Sequence, residues 1–427
     1  MSAPRRVVIT GLGVTSPFGV GPAALADGLS AGRDGFAPLE GRLGALPPGV
    51  GAKLDLPRKE FKLWFDTRVL RLSTMTRQTQ LGCIAAGDLL KSLDMVPDGS
   101  KHLDRGAFLG SFIVPPDFAK QVRAIRILSH RPEGEETGFV LDDGRLAEAM
   151  KFASAFDFLR ALPNMPSSHL SIQTGYQGPA CTYLGSDASG MQAIGMAVQV
   201  IRSGQATAMI AGAAFSPFQE VHLAWQHKRG LWNTDEGAGG DRVRPYSTQA
   251  GSLPGEGGAV FYLEEREMAE ARGATILAEI TGYGQRMIIP DAAGQADVRA
   301  EALRAALPDG TPDWVAPSGL GRPDMDRLDD EAHRLAFGAQ SAPAVVAVTP
   351  HIGFSGPATG PLGLAAALLT GRGDATPARI TVDADPGCAT LAGGLARAGR
   401  TGAGATAVAS SFTVDGVHAA IGVRIEA

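Results

Sequence analysis

The sequence predicts an α/β fold, and this expectation rests on the chain length and on two recurring patterns. The chain has 427 residues, which is longer than a single hydrophobic core usually accommodates, so two core-forming halves are expected. Short apolar runs such as residues 7–11, typical of strands buried on both faces, alternate with stretches that carry apolar residues at helical spacing. Strand, helix, strand alternation of this kind favours a mostly parallel sheet with helices on its faces.

The first half is predicted to contain a series of strands and two long helices. One helix is predicted over residues 75–93, where apolar side chains recur near one face. The other opens at Ser189 and Gly190 and runs to about residue 201, after which Gly204 stops it. The predicted strands span residues 7–11, 107–113, 180–184, 206–214 and 259–264.

The second half repeats this order of elements. A helix is predicted over residues 297–306, with Asp297 as its N-cap, and another over residues 360–369. The shared order is consistent with a duplicated α/β unit, although periodicity alone does not establish one, and it divides the chain into residues 1–265 and 266–427. The predicted strands of this half span residues 275–282, 314–317, 345–348, 405–411 and 418–425.

Composition excludes several classes of protein. The formal charge is −5 and the acidity is spread along the chain, so there is no basic footprint for nucleic acid. Cys83, Cys181 and Cys388 are too few and too scattered for a disulfide framework or a zinc site, and no cofactor is expected. No stretch has the roughly 18 apolar residues of a membrane span. The amino terminus lacks a signal-peptide pattern, so a cytoplasmic location is predicted.

The most informative stretch is residues 178–190, Gly-Pro-Ala-Cys-Thr-Tyr-Leu-Gly-Ser-Asp-Ala-Ser-Gly. A predicted buried strand stops at small residues and turns directly into a helix. This is the geometry of a nucleophile elbow, which places one side chain at a helix N-terminus where backbone N–H groups stabilise an oxyanion or a thiolate.

This stretch resembles the nucleophile elbow of the β-ketoacyl synthase family, and further matches in the same order extend the resemblance over nearly the whole chain. The family implies a thiolase-like fold, in which duplicated α/β halves form a five-layer αβαβα arrangement. The other matching segments are residues 7–19, 162–172, 244–246 with 254–258, and 271–284.

The resemblance places the family's catalytic positions on residues of the wrong chemistry. The nucleophilic cysteine falls on Asp187, the two histidines fall on Ser318 and Phe354, and the lysine falls on Thr349. Condensation needs a thiolate to carry the acyl chain as a thioester, and an aspartate cannot replace it. Serine donates one weak hydrogen bond and phenylalanine none, so neither replaces an imidazole. No catalytic residue is therefore predicted.

Loss of all three groups on an intact scaffold resembles the chain-length factor, the β subunit of type II polyketide ketosynthases. Gly360-Pro361-Leu362 is similar to a segment of those subunits. The resemblance implies an inactive ketosynthase homologue that pairs with an active ketosynthase, shapes the elongation tunnel and meets an acyl carrier protein. Asp187 departs from the glutamine usual in aromatic systems, so aromatic, aryl-polyene and polyene pathways all stay open.

Two other functions are considered. The first is a thioester-processing enzyme with repurposed chemistry centred on Asp187, assisted by Ser186 and Ser318. Its weakness is that the sequence offers no second titratable group beside Asp187. The second is a scaffolding homodimer. Apart from any function, Asp187 is expected to act as an N-cap for the following helix.

The resemblance also implies positions for the partner interface and the tunnel wall. The strand before the elbow lies at the dimer edge of thiolase folds, which places Cys181, Tyr183 and Leu184 at an interface. Phe112 and Phe118, in the segment after the second strand, are candidates for the tunnel wall, with ordinary core or interface aromatics as the equal alternative.

Overall fold

The computed structural model describes residues 5–95, 97–113, 118–130, 140–152, 155–237, 239–248, 251–290, 292–380 and 382–426. The strands are β1 (Val7–Ser16), β2 (Gly19–Val20), β3 (Phe36–Pro38), β4 (Val50–Ala52), β5 (Arg105–Gly110), β6 (Ser129–His130), β7 (Val140–Leu141), β8 (Ala180–Tyr183), β9 (Ala208–Phe215), β10 (Gly257–Glu265), β11 (Ala278–Met287), β12 (Trp314–Ala316), β13 (Ala344–Val345), β14 (Thr406–Phe412) and β15 (Val417–Ile425).

The helices include all those predicted and several short ones. They are α1 (Pro22–Ser30), α2 (Gly41–Gly44), α3 (Arg77–Ser92), α4 (Phe118–Leu128), α5 (Leu146–Ala149), α6 (Ala155–Arg160), α7 (Met165–Thr174), α8 (Ser189–Arg202), α9 (Glu220–Lys228), α10 (Arg266–Ala271), α11 (Gln295–Ala306), α12 (Pro323–Phe337), α13 (Thr349–Ile352), α14 (Thr359–Arg372) and α15 (Ala389–Gly394). In the described part of the chain, no helix combines the length and the apolar character that a bilayer span requires.

The sheet shows the duplication directly. In the first half the strand order is β1-β10-β9-β5-β8, and in the second it is β11-β15-β14-β12-β13. Numbered by their order along the chain within each half, both sets read 1-5-4-2-3, with the same parallel and antiparallel pairings. The two sets join where β1 pairs with β11 through Val8 and Ile9.

Helices cover both sets of strands and also lie between them. Helices α3 and α7 pack on the outer side of the first set, and α11 and α12 cover the outer side of the second. Helices α8 and α14 contact strands of both sets, so they form a central layer. The main core is built around this layer by alanine, valine, leucine and isoleucine side chains that are almost fully buried. The result is the five-layer αβαβα arrangement.

Three local expectations are wrong. The sheet is not mostly parallel: only the pairs β5–β8, β5–β9, β12–β13 and β12–β14 are parallel, whereas the strands nearest the junction of the two halves pair antiparallel. Asp297 is not an N-cap, since α11 begins at Gln295 and Gly294 holds the cap position. The strand predicted over 345–348 is only Ala344–Val345, because the chain turns into α13 at Thr349. The division at residues 265 and 266 stays a prediction.

Candidate functional site

The turn between β8 and α8 presents Asp187. Gly185 adopts a left-handed conformation with φ of 100°, which lets the strand turn sharply toward the helix. Helix α8 begins at Ser189, its cap position is Ala188, and the Ala188 N–H donates to Ser186 Oγ over 3.0 Å. The expectation that Asp187 caps the helix is therefore wrong. Its Oδ1 is buried and accepts no hydrogen bond from any described residue.

Ser318 and Phe354 reach the same place from the second half of the chain. Ser318 follows β12, and its buried Oγ accepts a hydrogen bond from the Phe412 N–H over 2.7 Å. Phe354 follows α13, and its ring packs against Trp232 with 6.5 Å between ring centroids. The Ser318 hydroxyl is therefore engaged by the backbone of β14, and the Phe354 ring is engaged in packing.

Asp187, Ser318 and Phe354 line one cavity of about 20 Å³, roughly the space of one water molecule. Gly356 brings the two halves close together, because a Cβ at that position would lie 3.3 Å from Asp187 Oδ1. None of the described lining residues is cysteine or histidine. The remaining lining residues are Gln226, Arg229, Leu231, Leu320, Arg322, Gly356, Thr359, Ser411, Phe412, Thr413 and Val414.

An ion pair contributes to the electrostatics of this cavity. Arg229 lies just after α9 and pairs with Asp415, on the turn between β14 and β15, over 2.6 Å. Burial raises the pKa of Asp187 to about 7; the negative charge of Asp415 adds to this rise and the positive charge of Arg229 opposes it. The sequence did not point to Arg229, because its partner is distant along the chain and no motif marks the pair.

Strand β8 lies at the edge of the sheet. Its inner side pairs with β5, where Cys181 is opposite Phe108 and Tyr183 is opposite Gly110. On its outer side, no strand of the described residues follows it. Cys181, Tyr183 and Leu184 are half-buried, and burial raises the pKa of the Cys181 thiol, which disfavours a displaced thiolate nucleophile.

Phe112 is half-buried at the end of β5, among the aromatic rings of Phe215, His222 and Trp225. It also lines a second small cavity together with Leu184, so a candidate wall residue and a candidate interface residue are neighbours. Phe118 opens helix α4, but its side chain lies outside the described residues.

A basic groove was not predicted from the sequence. It is lined by six cationic side chains and one carboxylate, Glu220, although the whole chain carries a formal charge of −5. Arg58 and Arg123 are exposed and have no carboxylate partner among the described residues. The cations come from separate segments, which is why no charge run marks them in the sequence. They are Arg42, Arg58, Arg77, Lys120, Arg123 and Arg160.

The fold and the position of this cavity define a ketosynthase-like protein of the thiolase class. Residues 4–269 match the family model for the β-ketoacyl synthase N-terminal domain, and the chain belongs to the β-ketoacyl synthase family.

Curated relatives and solved structures agree with this assignment. Nodulation protein E of Rhizobium sp. (strain N33) is 29% identical over 79% of this chain and 78% of its own. The tetracenomycin polyketide synthase ketoacyl synthase alpha subunit of Streptomyces glaucescens is 28% identical over 90% of this chain and 89% of its own.

Among solved structures, the ishigamide ketosynthase/chain length factor superposes with a TM-score of 0.80 at 24% identity, covering 100% of both chains. A type II polyketide synthase acyl-carrier protein in complex with its ketosynthase superposes with a TM-score of 0.79 at 21% identity, also over 100% of both chains. At these identities the likeness establishes the fold, which confirms the thiolase-like, duplicated α/β architecture.

Proposed function

We propose that this chain is a non-catalytic chain-length-factor subunit that pairs with an active ketosynthase in type II polyketide biosynthesis. The observation that carries the proposal is the chemistry of the cavity lined by Asp187, Ser318 and Phe354. Its described lining has no thiol to hold an acyl chain and no imidazole to promote decarboxylation. At about 20 Å³ the cavity is also too small for an acyl thioester.

The edge of the sheet supports pairing with another chain. An edge strand leaves backbone donors and acceptors open, and β8 is such a strand. Exposed apolar side chains surround it: Ile113 and Leu162 lie beside Leu184, and Ile172 projects from α7, which packs on β8. We call Ile113, Leu162, Ile172, Tyr183 and Leu184 the apolar edge surface. An active ketosynthase is its proposed partner, and the interface is expected to bury over ~2,000 Å², the range of obligate interfaces.

The tunnel wall is proposed at Phe112 because it lies beside this surface. Phe112, Ile113 and Leu184 line the same small cavity, so a partner docked on the apolar edge surface would approach the Phe112 ring. Side-chain volume at that point would then limit how far an acyl chain grows. Phe118 is proposed as a second wall residue from the family resemblance alone.

The basic groove is proposed as the docking surface for an acyl carrier protein that presents an acidic face. Four of its six cations already pair with carboxylates: Arg77 with buried Glu256 over 2.6 Å, Arg42 with Glu220 over 3.6 Å, and both Lys120 and Arg160 with Asp157. Arg58 and Arg123 have no such partner among the described residues, and they supply the free positive charge.

Charge reversal at Arg58 and Arg123 is expected to weaken carrier-protein binding to the ketosynthase complex. The loss should be greatest at low salt, because exposed charges are screened as ionic strength rises. The measurement is the Kd for the carrier protein in 50 and 300 mM salt, with Arg304→Glu, an exposed arginine on α11, as the matched control. Equal Kd values for Arg58→Glu, Arg123→Glu and Arg304→Glu would remove the groove from the docking surface.

Catalysis by the isolated chain is expected to be absent. The purified protein, incubated with malonyl carrier protein, should neither condense nor decarboxylate it above a control without protein, while an intact ketosynthase of the family does both. The measurement is mass spectrometry of the carrier-bound acyl group. Activity that disappears in Asp187→Asn would refute the non-catalytic proposal.

That outcome would favour the second candidate, a thioester-processing enzyme centred on Asp187. One observation speaks for it, because a half-buried carboxyl whose Oδ1 has no hydrogen-bond partner and whose pKa is about 7 is suited to proton transfer. The other charged groups that line the cavity are the guanidinium groups of Arg229 and Arg322, which offer hydrogen-bond donors and no acceptor. The cavity therefore lacks the second titratable group that such an enzyme requires.

A further inference from the structure

The backbone of Phe112 is fixed by a buried glutamine. Gln78 donates from Nε2 to the Phe112 carbonyl oxygen over 2.9 Å and to Ser111 Oγ over 2.7 Å. These bonds hold the end of the segment in place but do not determine where the Phe112 ring points, since a phenylalanine side chain has several rotamers. The ring direction must be set by the side chains that contact it.

Three rings surround that of Phe112. The centroid of Phe215, on β9, is 6.1 Å away, that of His222 is 5.6 Å away, and that of Trp225 is 5.5 Å away. His222 and Trp225 are three residues apart on α9 and so lie on one face of that helix. Phe215 and His222 are buried, whereas Trp225 is 38% exposed. Trp225 is therefore the member of this ring cluster on the solvent side of Phe112.

Trp225 is itself held in place by a residue outside the ring cluster. The Arg229 guanidinium lies 4.4 Å from the Trp225 ring centroid, a cation–π contact. Arg229 in turn pairs with Asp415 over 2.6 Å, which ties it to the turn between β14 and β15. A continuous set of contacts thus leads from this turn, through Arg229 and Trp225, to Phe112.

We propose that Trp225 is a positioning residue that holds the Phe112 ring against the elongation tunnel and so helps to set product length. The inference rests on the proposed function, in which Phe112 forms part of the tunnel wall. Without the indole, the Phe112 ring can rotate into the space left beside α9, and the tunnel deepens although Phe112 is still present. Trp225 acts through Phe112 and does not itself touch the growing chain.

The test is product profiling of the complex reconstituted from this chain and the active ketosynthase proposed as its partner. The variants are Trp225→Ala, Trp225→Phe, Phe112→Ala and the Phe112→Ala/Trp225→Ala double variant, with melting temperatures recorded for each. Trp232→Phe is the matched control, because Trp232 is buried and donates to the Leu223 carbonyl on the same helix α9, but its ring packs against Phe354 rather than against Phe112.

Trp225→Ala is expected to lengthen the product by at least one extension unit, and Trp225→Phe to retain the wild-type length because a ring remains. Phe112→Ala should lengthen it as well, and the double variant should give the same length as Phe112→Ala, because Trp225 has nothing left to position. Trp232→Phe should leave the length unchanged. Loss of stability alone would not produce this dependence on the Phe112 background.

Three results would overturn the inference. If Phe112→Ala lengthens the product and Trp225→Ala does not, Trp225 has no positioning role, while the tunnel-wall proposal stands. If the double variant gives longer products than Phe112→Ala, Trp225 lines the tunnel itself. If Phe112→Ala changes nothing, the proposed wall is wrong and the inference falls with it.

Discussion

Asp187→Asn is expected to stabilise the protein above pH 7 by up to about 4 kcal/mol, the free energy that corresponds to a pKa rise from about 4 in the unfolded chain to about 7 in the fold. A half-buried carboxylate whose Oδ1 is buried without a hydrogen-bond partner opposes folding, and the amide removes its charge. The size is an upper limit, because local rearrangement can lower the cost of burying the charge.

The pH dependence follows from the direction of the shift. Below pH 4 the carboxyl is protonated in both states, so Asp187 does not penalise folding. Between pH 4 and 7 the unfolded chain loses the proton and the folded protein keeps it, so stability falls as pH rises. The advantage of Asp187→Asn should therefore grow from near zero at pH 4 to its full value above pH 7.

Denaturant unfolding of both proteins from pH 4 to 8 measures this difference. Asp297→Asn is the matched control, because Asp297 is exposed in the first turn of α11 and its loss should give a small difference throughout this range. A destabilised Asp187→Asn at pH 8 would mean that the carboxylate has a compensating partner in solution, and it would remove the physical basis for regarding Asp187 as unpaired.

Ile172→Asp and Ile113→Asp are each expected to weaken the complex with an active ketosynthase by 30-fold or more, about 2 kcal/mol, the usual loss at an interface hot spot. Ile172 and Ile113 are 57% and 59% exposed in the single chain. A carboxylate there costs the folded chain little, but in a packed interface it would be buried without a partner.

The measurement is affinity between this chain and the ketosynthase after co-expression, with melting temperatures to confirm that each variant folds. Leu335→Asp is the matched control, because Leu335 is 42% exposed on α12, on the outer side of the second half. Wild-type affinity for both isoleucine variants, or a wild-type chain that stays monomeric beside an active ketosynthase, would refute the proposed interface.

Much of the fold could be predicted from the sequence because its signals are local. Apolar runs and helical spacing located β5, β8, α3 and α8 to within three residues, whereas β1 begins at the predicted Val7 but extends five residues beyond the predicted end. The resemblance to the β-ketoacyl synthase family implied the duplicated, five-layer fold. The same resemblance pointed to Asp187, Ser318 and Phe354, which the structure brings into one cavity although Asp187 and Phe354 are more than 160 residues apart along the chain.

The sequence alone determined the order of the elements, the strand-to-helix turn at Asp187 and the residue types at positions 187, 318 and 354. Only the tertiary structure decided the antiparallel pairings, the Arg229–Asp415 ion pair, the basic groove and the rings around Phe112. It also decided that Ala188, not Asp187, takes the cap position of α8. The physical reason is range: helix and strand formation depends on neighbours along the chain, whereas charge pairing, strand direction and desolvation depend on residues that become neighbours only when the chain folds.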